Sequence, residues 1–260
     1  MILIGTSGFS YDDWRGPFFP EATPREKMLD FYVREFSLVE LNYTYYTMPA
    51  EKTMASFARR TPPAFSFSVK LHKSLTHERG TPEQASAAFQ AFLKAIRPLV
   101  EEGKLACLLA QYPWSFKPRV ESYQSLRQLR ENIIDLPVVV EFRNASWVSQ
   151  TTFEFLRSLK LGFCCVDEPN LPGLVPPVCV ATAEPAYVRF HGRNAAAWWK
   201  HGDASERYNY LYSLEELAEW KPRLEKLDSA LNKTLVLFNN CHGGNAAVNA
   251  RMMKSLLGVE

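Results

Sequence analysis

A regular alternation of short apolar runs with helical patterns constrains the fold of this chain more than any other feature. Eight apolar runs occur, and each is followed by residues whose apolar positions recur at helical spacing. Such alternation is typical of βαβ units on a parallel sheet, and 260 residues accommodate eight units as a closed barrel. The sequence therefore predicts one α/β domain, residues 1–260, with a (β/α)8 TIM-barrel-like fold. The predicted strands are residues 2–5, 38–41, 65–70, 105–111, 137–142, 163–167, 186–191 and 234–239.

Local capping signals indicate where several helices begin and end. Segments starting at Thr23, Thr81 and Ser213 carry Glu or Gln three residues later, which is the pattern of a capping box. Gly162 stands where a glycine would close a helix over residues 146–161 at its C′ position. The first βα turn lacks the G-x-G-x-x-G pattern, which argues against an open dinucleotide-binding sheet.

Each predicted strand turns polar at its C-terminal end. Side chains alternate between the two faces of a strand, so Glu141 and Arg143 share one face, and Arg189 and His191 share one face of a later strand. We expect these polar faces to point into the barrel mouth, where barrel enzymes carry their active sites. The alternative is a buried salt-bridge lattice that only closes the barrel.

The candidate site residues follow from this pattern and from the aromatic residues near the strand ends. The candidate catalytic residues are Glu40, Glu141, Asp167 and His191. The candidate substrate-binding residues are Asn42, Lys70, Arg143, Arg189, Arg193, Trp147, Trp198, Tyr208 and Asn239.

Tryptophan is concentrated in the segments that follow predicted strands. Trp14, Trp114, Trp147, Trp198 and Trp199 all lie there, in a chain that is 13% aromatic. Aromatic side chains in such loops either cap the core or form the walls of a pocket that stacks a sugar or a nucleobase. The sequence leaves both interpretations open.

Several motifs resemble the YecE-like family, a group of unknown function. They are IGTSGFSY at residues 4–11, VELNYTYY at 39–46, FSVK at 67–70 with THE at 76–78, VEFRNASW at 140–147, YVRFHGR at 187–193 and FNN at 238–240. The resemblance covers essentially the whole chain, and it implies a TIM-barrel-like fold without supplying a reaction. The residues after the paired asparagines depart from the family pattern, so His242 is not counted as a site residue.

The first functional hypothesis is a hydrolase, isomerase or lyase that uses acid–base chemistry on a phosphorylated or carboxylated sugar- or nucleotide-like substrate. Arg143, Arg189 and Lys70 would clamp the anion. Glu141 or Glu40 would be the base, with His191 as the acid or proton shuttle. The paired glycines at 243–244, just before the last predicted helix, are a further candidate for phosphate binding.

Two other hypotheses remain open. In a metal-dependent barrel hydrolase or isomerase, Glu40, Glu141, Asp167 and His191 would bind a divalent ion, although neighbouring Lys and Arg would repel it. No other cofactor is suggested. The third hypothesis is a non-enzymatic binder of nucleic acid or an anionic metabolite. It rests on the basic residues Lys70, His72, Lys73, His77 and Arg79, and a net charge of +2 argues against strong non-specific binding.

Cysteine usage and hydropathy predict a cytoplasmic protein. The five cysteines are odd in number and form no C-x-x-C pair, so we expect free thiols in a reducing compartment. The first residues do not have the pattern of a signal peptide. No apolar run is long enough to predict a membrane span.

Overall fold

Eight parallel strands close into a barrel in sequence order in the computed structural model, which describes residues 1–78, 80–200, 202–203 and 205–259. The barrel closes where β8 pairs with β1, from Thr234 opposite Ile2 to Phe238 opposite Thr6. This confirms the predicted fold class, and the predicted strand ends are within two residues of the observed ones. The strands are β1 (Ile2–Ser7), β2 (Leu38–Leu41), β3 (Ser66–Lys70), β4 (Leu105–Gln111), β5 (Val138–Glu141), β6 (Leu161–Asp167), β7 (Ala186–Phe190) and β8 (Thr234–Phe238).

Helices connect successive strands on the outside of the barrel. Two of the predicted capping boxes are confirmed, at Thr81 with Gln84 and at Ser213 with Glu216. The α-helices within the described residues are α1 (Met28–Tyr32), α2 (Glu51–Arg60), α3 (Lys73–Thr76), α4 (Pro82–Glu101), α5 (Val120–Asn132), α6 (Gln150–Ser158), α7 (Leu214–Ala218), α8 (Lys221–Ala230) and α9 (Asn245–Leu257). Short 3-10 helices there are Asp12–Trp14, Arg25–Lys27, Tyr43–Tyr45, Ala145–Trp147, Glu206–Tyr208 and His242–Gly244.

Two predicted helix boundaries are wrong. The backbone N–H of Thr23 donates to Pro20 in a turn, and Pro24, which has no side chain that caps, is the N-cap of the 3-10 helix Arg25–Lys27. Gly162 lies inside β6 rather than at a helix end, and Lys160 has the left-handed backbone there (φ 51°). The position favours glycine, because a Cβ at 162 would lie 3.0 Å from Cγ2 of Val139 and this side chain would have to shift to make room.

The segment between β6 and β7 has no regular element, as its proline content predicts. All five cysteines are free. Within the described part of the chain, no helix is both long enough and apolar enough to cross a membrane.

Candidate functional site

Arg189 joins two carboxylates at the C-terminal end of the barrel. Its Nη2 lies 2.6 Å from Oε1 of Glu40 on β2, and its Nη1 lies 2.5 Å from Oε2 of Glu141 on β5. The second oxygen of Glu40 accepts a hydrogen bond of 2.7 Å from the Tyr187 hydroxyl. All these side chains are buried. Because buried charges are costly unless they are paired, this ionic cluster stabilises itself inside the barrel.

Glu141 also contacts two residues that follow β5 and β7. Its Oε1 lies 2.7 Å from Nε of Arg143 and 3.2 Å from Nε2 of His191. Burial alone would raise the pKa of Glu141, but the charges of Arg143 and Arg189 outweigh it and hold that pKa well below its usual range. Glu141 is therefore a carboxylate at neutral pH.

His191 is neutral in this environment. Burial, assisted by the charge of Arg143, lowers its pKa to about 3. Its Nδ1 lies 3.1 Å from the amide nitrogen of Asn239, so the amide donates to Nδ1 and the ring proton lies on Nε2. Nε2 is buried without a hydrogen-bond partner among the described residues, although Oε1 of Glu141 lies 3.2 Å away. A buried, neutral ring does not supply the charged imidazolium acid expected from the sequence.

Lys70 differs from the other charged residues of the mouth. It lies on the inner face of β3, two residues after Ser68, whose hydroxyl is 2.8 Å from that of Tyr187. Its Nζ lies 4.6 Å from the centre of the Tyr45 ring. Among the described residues its ammonium group has no hydrogen-bond or ion-pair partner. Burial and the charge of Arg189 lower the pKa of Lys70 to about 7.

Two asparagines extend the cluster towards β1. Nδ2 of Asn42 lies 3.4 Å from Oδ1 of Asn239, and Nη2 of Arg189 lies 3.4 Å from the same oxygen. Oδ1 of Asn42 is buried without a hydrogen-bond partner in the described residues. A cavity of about 740 Å³ opens here, and its lining includes Phe9, Tyr11, Leu29, Glu40, Asn42, Tyr43 and Phe57.

A second cavity, of about 210 Å³, lies over Arg143. The Arg143 side chain keeps 13% of its surface exposed. Trp114 and Trp199 are 42% and 55% exposed and meet edge to face, with ring centres 6.3 Å apart. The predicted aromatic wall thus exists at this cavity. Its lining residues are Gln111, Pro113, Trp114, Arg143, Leu174, Trp198, Trp199, Arg207 and Tyr208.

The structure corrects the assignment of Trp147. Its indole is fully buried, with its ring centre 4.2 Å from that of Phe142, and its Nε1 donates to the carbonyl oxygen of Phe116 over 2.6 Å. Trp147 covers the outward ring of Phe142 and belongs to the core, and this placement argues against a substrate-binding role. Trp14 is likewise fully buried.

Asp167 and Arg193 pair with each other outside the ionic cluster. Both carboxylate oxygens of Asp167 accept hydrogen bonds from Arg193, at 2.9 and 2.8 Å, and further bonds come from Tyr212 and Trp220. Asp167 pairs in register with Phe190, whose ring packs on Trp220 outside the barrel. Asp167 therefore points away from the mouth, and its saturated oxygens argue against the predicted catalytic role and against substrate binding by Arg193.

The sequence analysis missed Glu168, the next residue. Its side chain is buried, and its Oε2 lies 3.6 Å from Nη1 of Arg143 with no hydrogen-bond partner among the described residues. Burial raises the pKa of Glu168 to about 7, although Arg143 opposes the shift. Strand alternation was the available signal, because a residue next to the outward Asp167 is expected to face the opposite way.

Residues from two other predicted binding segments contact residues of the same chain instead. The N–H of Gly243, a candidate phosphate donor, donates to the Asp13 carboxylate over 2.7 Å. In the basic segment, Lys73 pairs with Glu78 at 2.8 Å, whereas Arg79 lies outside the described residues.

The donor set expected for a metal ion is not assembled. In residues 1–78, 80–200, 202–203 and 205–259, no group of three or more His, Cys, Asp or Glu side chains is arranged to hold one. Glu40 and Glu141 face the guanidinium of Arg189, and Asp167 points outside the barrel. This arrangement gives the metal-dependent hypothesis no support.

Together these features define a (β/α)8-barrel protein with an ionic cluster at its C-terminal mouth and an aromatic cavity beside it. The chain belongs to the family described as "Protein of unknown function DUF72", whose sequence profile matches residues 3–260. YecE-like is another name for this family.

The similarity to relatives extends over whole chains. The UPF0759 protein YunF of Bacillus subtilis is 34% identical over 273 residues, which cover 100% of this chain and 96% of that protein. A crystal structure of a DUF72 family protein from Thermotoga maritima is 41% identical, covers 99% of each chain and has a TM-score of 0.90. One from Enterococcus faecalis is 29% identical, covers 100% of this chain and 96% of that chain, and has a TM-score of 0.89.

Proposed function

We propose that this protein is an enzyme that performs acid–base chemistry on a small anionic, ring-containing substrate at the C-terminal mouth of the barrel. One observation carries the proposal. Lys70 and Arg143, two partly exposed cations of the mouth, lie beside an ionic cluster whose other charges are already paired.

Arg143 is the proposed anion contact. Its Nε is committed to Glu141, but its guanidinium borders the aromatic cavity. A planar guanidinium suits carboxylate and phosphate groups. Arg189, which the sequence analysis also placed in the clamp, is reassigned to holding Glu40 and Glu141 because its terminal nitrogens bind those carboxylates.

The aromatic cavity is the proposed ring site. Trp114, Trp198, Trp199 and Tyr208 offer faces and edges on which a sugar or a nucleobase can pack. Its volume of about 210 Å³ lies below the ~300–1,000 Å³ of sites for larger ligands. The size favours a single ring with one anionic group.

Lys70 and Glu168 are the proposed proton-transfer groups. A pKa of about 7 for each leaves both the neutral amine and the protonated acid populated at neutral pH, the condition in which general acid–base catalysis is most effective. Glu141, held as a carboxylate, would orient Arg143 and His191. Such a pair suits an isomerase or a lyase that removes a proton from carbon.

The test incubates the protein in D2O with each member of a panel of phosphorylated and carboxylated sugars and nucleotides. NMR monitors the exchange of substrate C–H hydrogens for deuterium. We expect at least one compound to exchange, and Lys70→Met to slow this exchange by about 10²–10⁴-fold. Lys73→Met is the matched control, because Lys73 is exposed and paired with Glu78.

Equal exchange in wild type and Lys70→Met would refute the assignment of Lys70. A compound that binds through Arg143 without any exchange or turnover would instead identify a non-enzymatic binder of an anionic metabolite.

A further inference from the structure

We propose that Lys70 is a nucleophile that forms an imine with the carbonyl carbon of an aldehyde or ketone substrate whose anionic group binds Arg143. This inference rests on the proposed function and names the substrate class, a phosphorylated or carboxylated carbonyl compound. It changes the role of Lys70 from a proton acceptor to a covalent catalyst.

The partners of the neighbouring charges leave the amine of Lys70 available. The carboxylates of Glu40 and Glu141 are the acids that could neutralise an ammonium group here, but Arg189 bridges them and Arg143 binds Glu141 as well. The ammonium group of Lys70 is left against the ring of Tyr45, with no hydrogen bond or ion pair to any described residue.

The electrostatic surroundings favour the neutral, nucleophilic form. Burial is the largest cause that lowers the pKa of Lys70, and the charge of Arg189 acts in the same direction, against the opposing charges of Glu141 and Glu40. With a pKa of about 7, the neutral amine at pH 7 is about a thousandfold more abundant than for an ordinary lysine of pKa ~10.4. Desolvation beside another cation is a known way to activate a lysine towards carbonyl groups.

Imine formation requires only water and protons besides the substrate. The Nζ lone pair forms a C–N bond to the carbonyl carbon as the C=O π bond breaks, and a proton then passes from Nζ to the carbonyl oxygen to give a carbinolamine. The C–O bond then breaks, and the oxygen leaves as water after a second proton transfer, for which Glu168 is the proposed donor. The positive iminium acidifies the adjacent C–H bond, and hydrolysis reverses the sequence.

Reductive trapping in the wild-type protein tests this inference. The full-length protein is incubated with pyridoxal 5′-phosphate, pyruvate or glyceraldehyde 3-phosphate in the presence of cyanoborohydride, and the adducts are located by peptide mapping. We expect Lys70 to be modified at least tenfold faster than Lys73 at pH 7, with the Lys70 rate rising through pH 7. Arg143→Ala should remove this preference for the anionic compounds.

Lys70→Arg, checked for its folded state by thermal melting, should lose the fast adduct, and Lys73→Arg should keep it. Modification of Lys70 no faster than that of Lys73 would overturn the inference. If D2O exchange depends on Lys70 but no adduct forms there, the imine is refuted and the proposed function stands. If neither Lys70-dependent D2O exchange nor a Lys70 adduct is observed, both the proposed function and the imine are refuted.

Discussion

Two lysines at opposite ends of the barrel differ in whether their ammonium groups have oxygen partners. Lys104 precedes β4 at the N-terminal end, and its ammonium donates to the carbonyl oxygens of Ala58 and Thr61 and to Oγ1 of Thr61, at 2.5, 2.7 and 3.1 Å. Lys70, at the C-terminal end, has no such oxygen partner in the described chain.

The difference between Lys104 and Lys70 separates a structural role for a buried charge from a proposed chemical one. Lys104 binds carbonyls at the C-terminal end of α2, where the helix dipole favours a cation, so its role is to join α2 to the barrel. A charge left without a partner is costly for folding and is retained where chemistry uses it. Within the mouth, Arg189, whose two terminal nitrogens bind carboxylates, and the partly exposed Arg143 repeat this contrast.

We expect the largest effect on stability from a substitution at Arg189, whose two terminal nitrogens are paired with carboxylates. Arg189→Met leaves Glu40 and Glu141 buried without their bridging cation, so we expect the free energy of unfolding to fall by about 3–5 kcal/mol. Urea denaturation measures it. Arg97→Met is the control, because the exposed Arg97–Glu51 pair contributes about 1 kcal/mol or less. If Arg189→Met lowers stability no more than Arg97→Met does, the paired charges of the mouth do not stabilise the fold more than an exposed ion pair.

The two lysines themselves are compared next. Lys104→Met leaves the carbonyls of Ala58 and Thr61 without their donor, so we expect a loss of about 1–3 kcal/mol. Lys70→Met removes no hydrogen bond and should not lower stability at pH 7. Chemical denaturation of both variants in one buffer measures their free energies of unfolding. Equal losses of stability would show that Lys70 has a structural partner.

The mouth could be located from the sequence because strand alternation is a local property. Alternation placed Glu141 with Arg143 and Arg189 with His191 on inward faces, and the structure joins these residues. It did not place Asp167, because its direction depends on the β6–β7 register, which pairs it with Phe190. That register is set by packing between distant segments.

The sequence also could not show which side chains pair with each other in the folded barrel. Lys70 and Arg189 look equivalent as basic strand ends, but only the closed barrel shows that Arg189 takes both carboxylates. In the same way, Trp147 and Trp199 both follow strands. Trp147 becomes core because Phe116 and Phe142 pack against its ring, a contact that joins two βα segments.

A further effect should appear in the pH dependence of stability. The pKa of Lys70 is lowered to about 7 in the folded protein, whereas an unfolded lysine has a pKa of ~10.4. Between these values the unfolded chain binds more protons, so this group makes stability rise with pH. Its unfavourable contribution is complete below about pH 7 and disappears towards pH ~10.

We therefore expect Lys70→Met to be more stable than wild type at pH 7, and the difference to close as the pH approaches 10. Chemical denaturation at intervals of one pH unit measures this, with Lys73→Met as the control for general charge effects. A difference that stays constant with pH would show that Lys70 keeps an ordinary pKa.

The smallest expected effect concerns the exposed aromatic wall. Trp199→Ala removes one ring from the cavity over Arg143 while leaving the guanidinium in place, and a single aromatic contact contributes about 0.5–1.5 kcal/mol. Ring-containing anions should therefore bind about 2- to 12-fold more weakly, and acyclic anions should be unaffected. Calorimetry with one anion of each kind separates the two contributions. Leu211→Ala, at a similarly exposed residue outside the cavity lining, is the control. Equal weakening of both ligands would mean that Trp199 positions Arg143 instead of stacking on the ring.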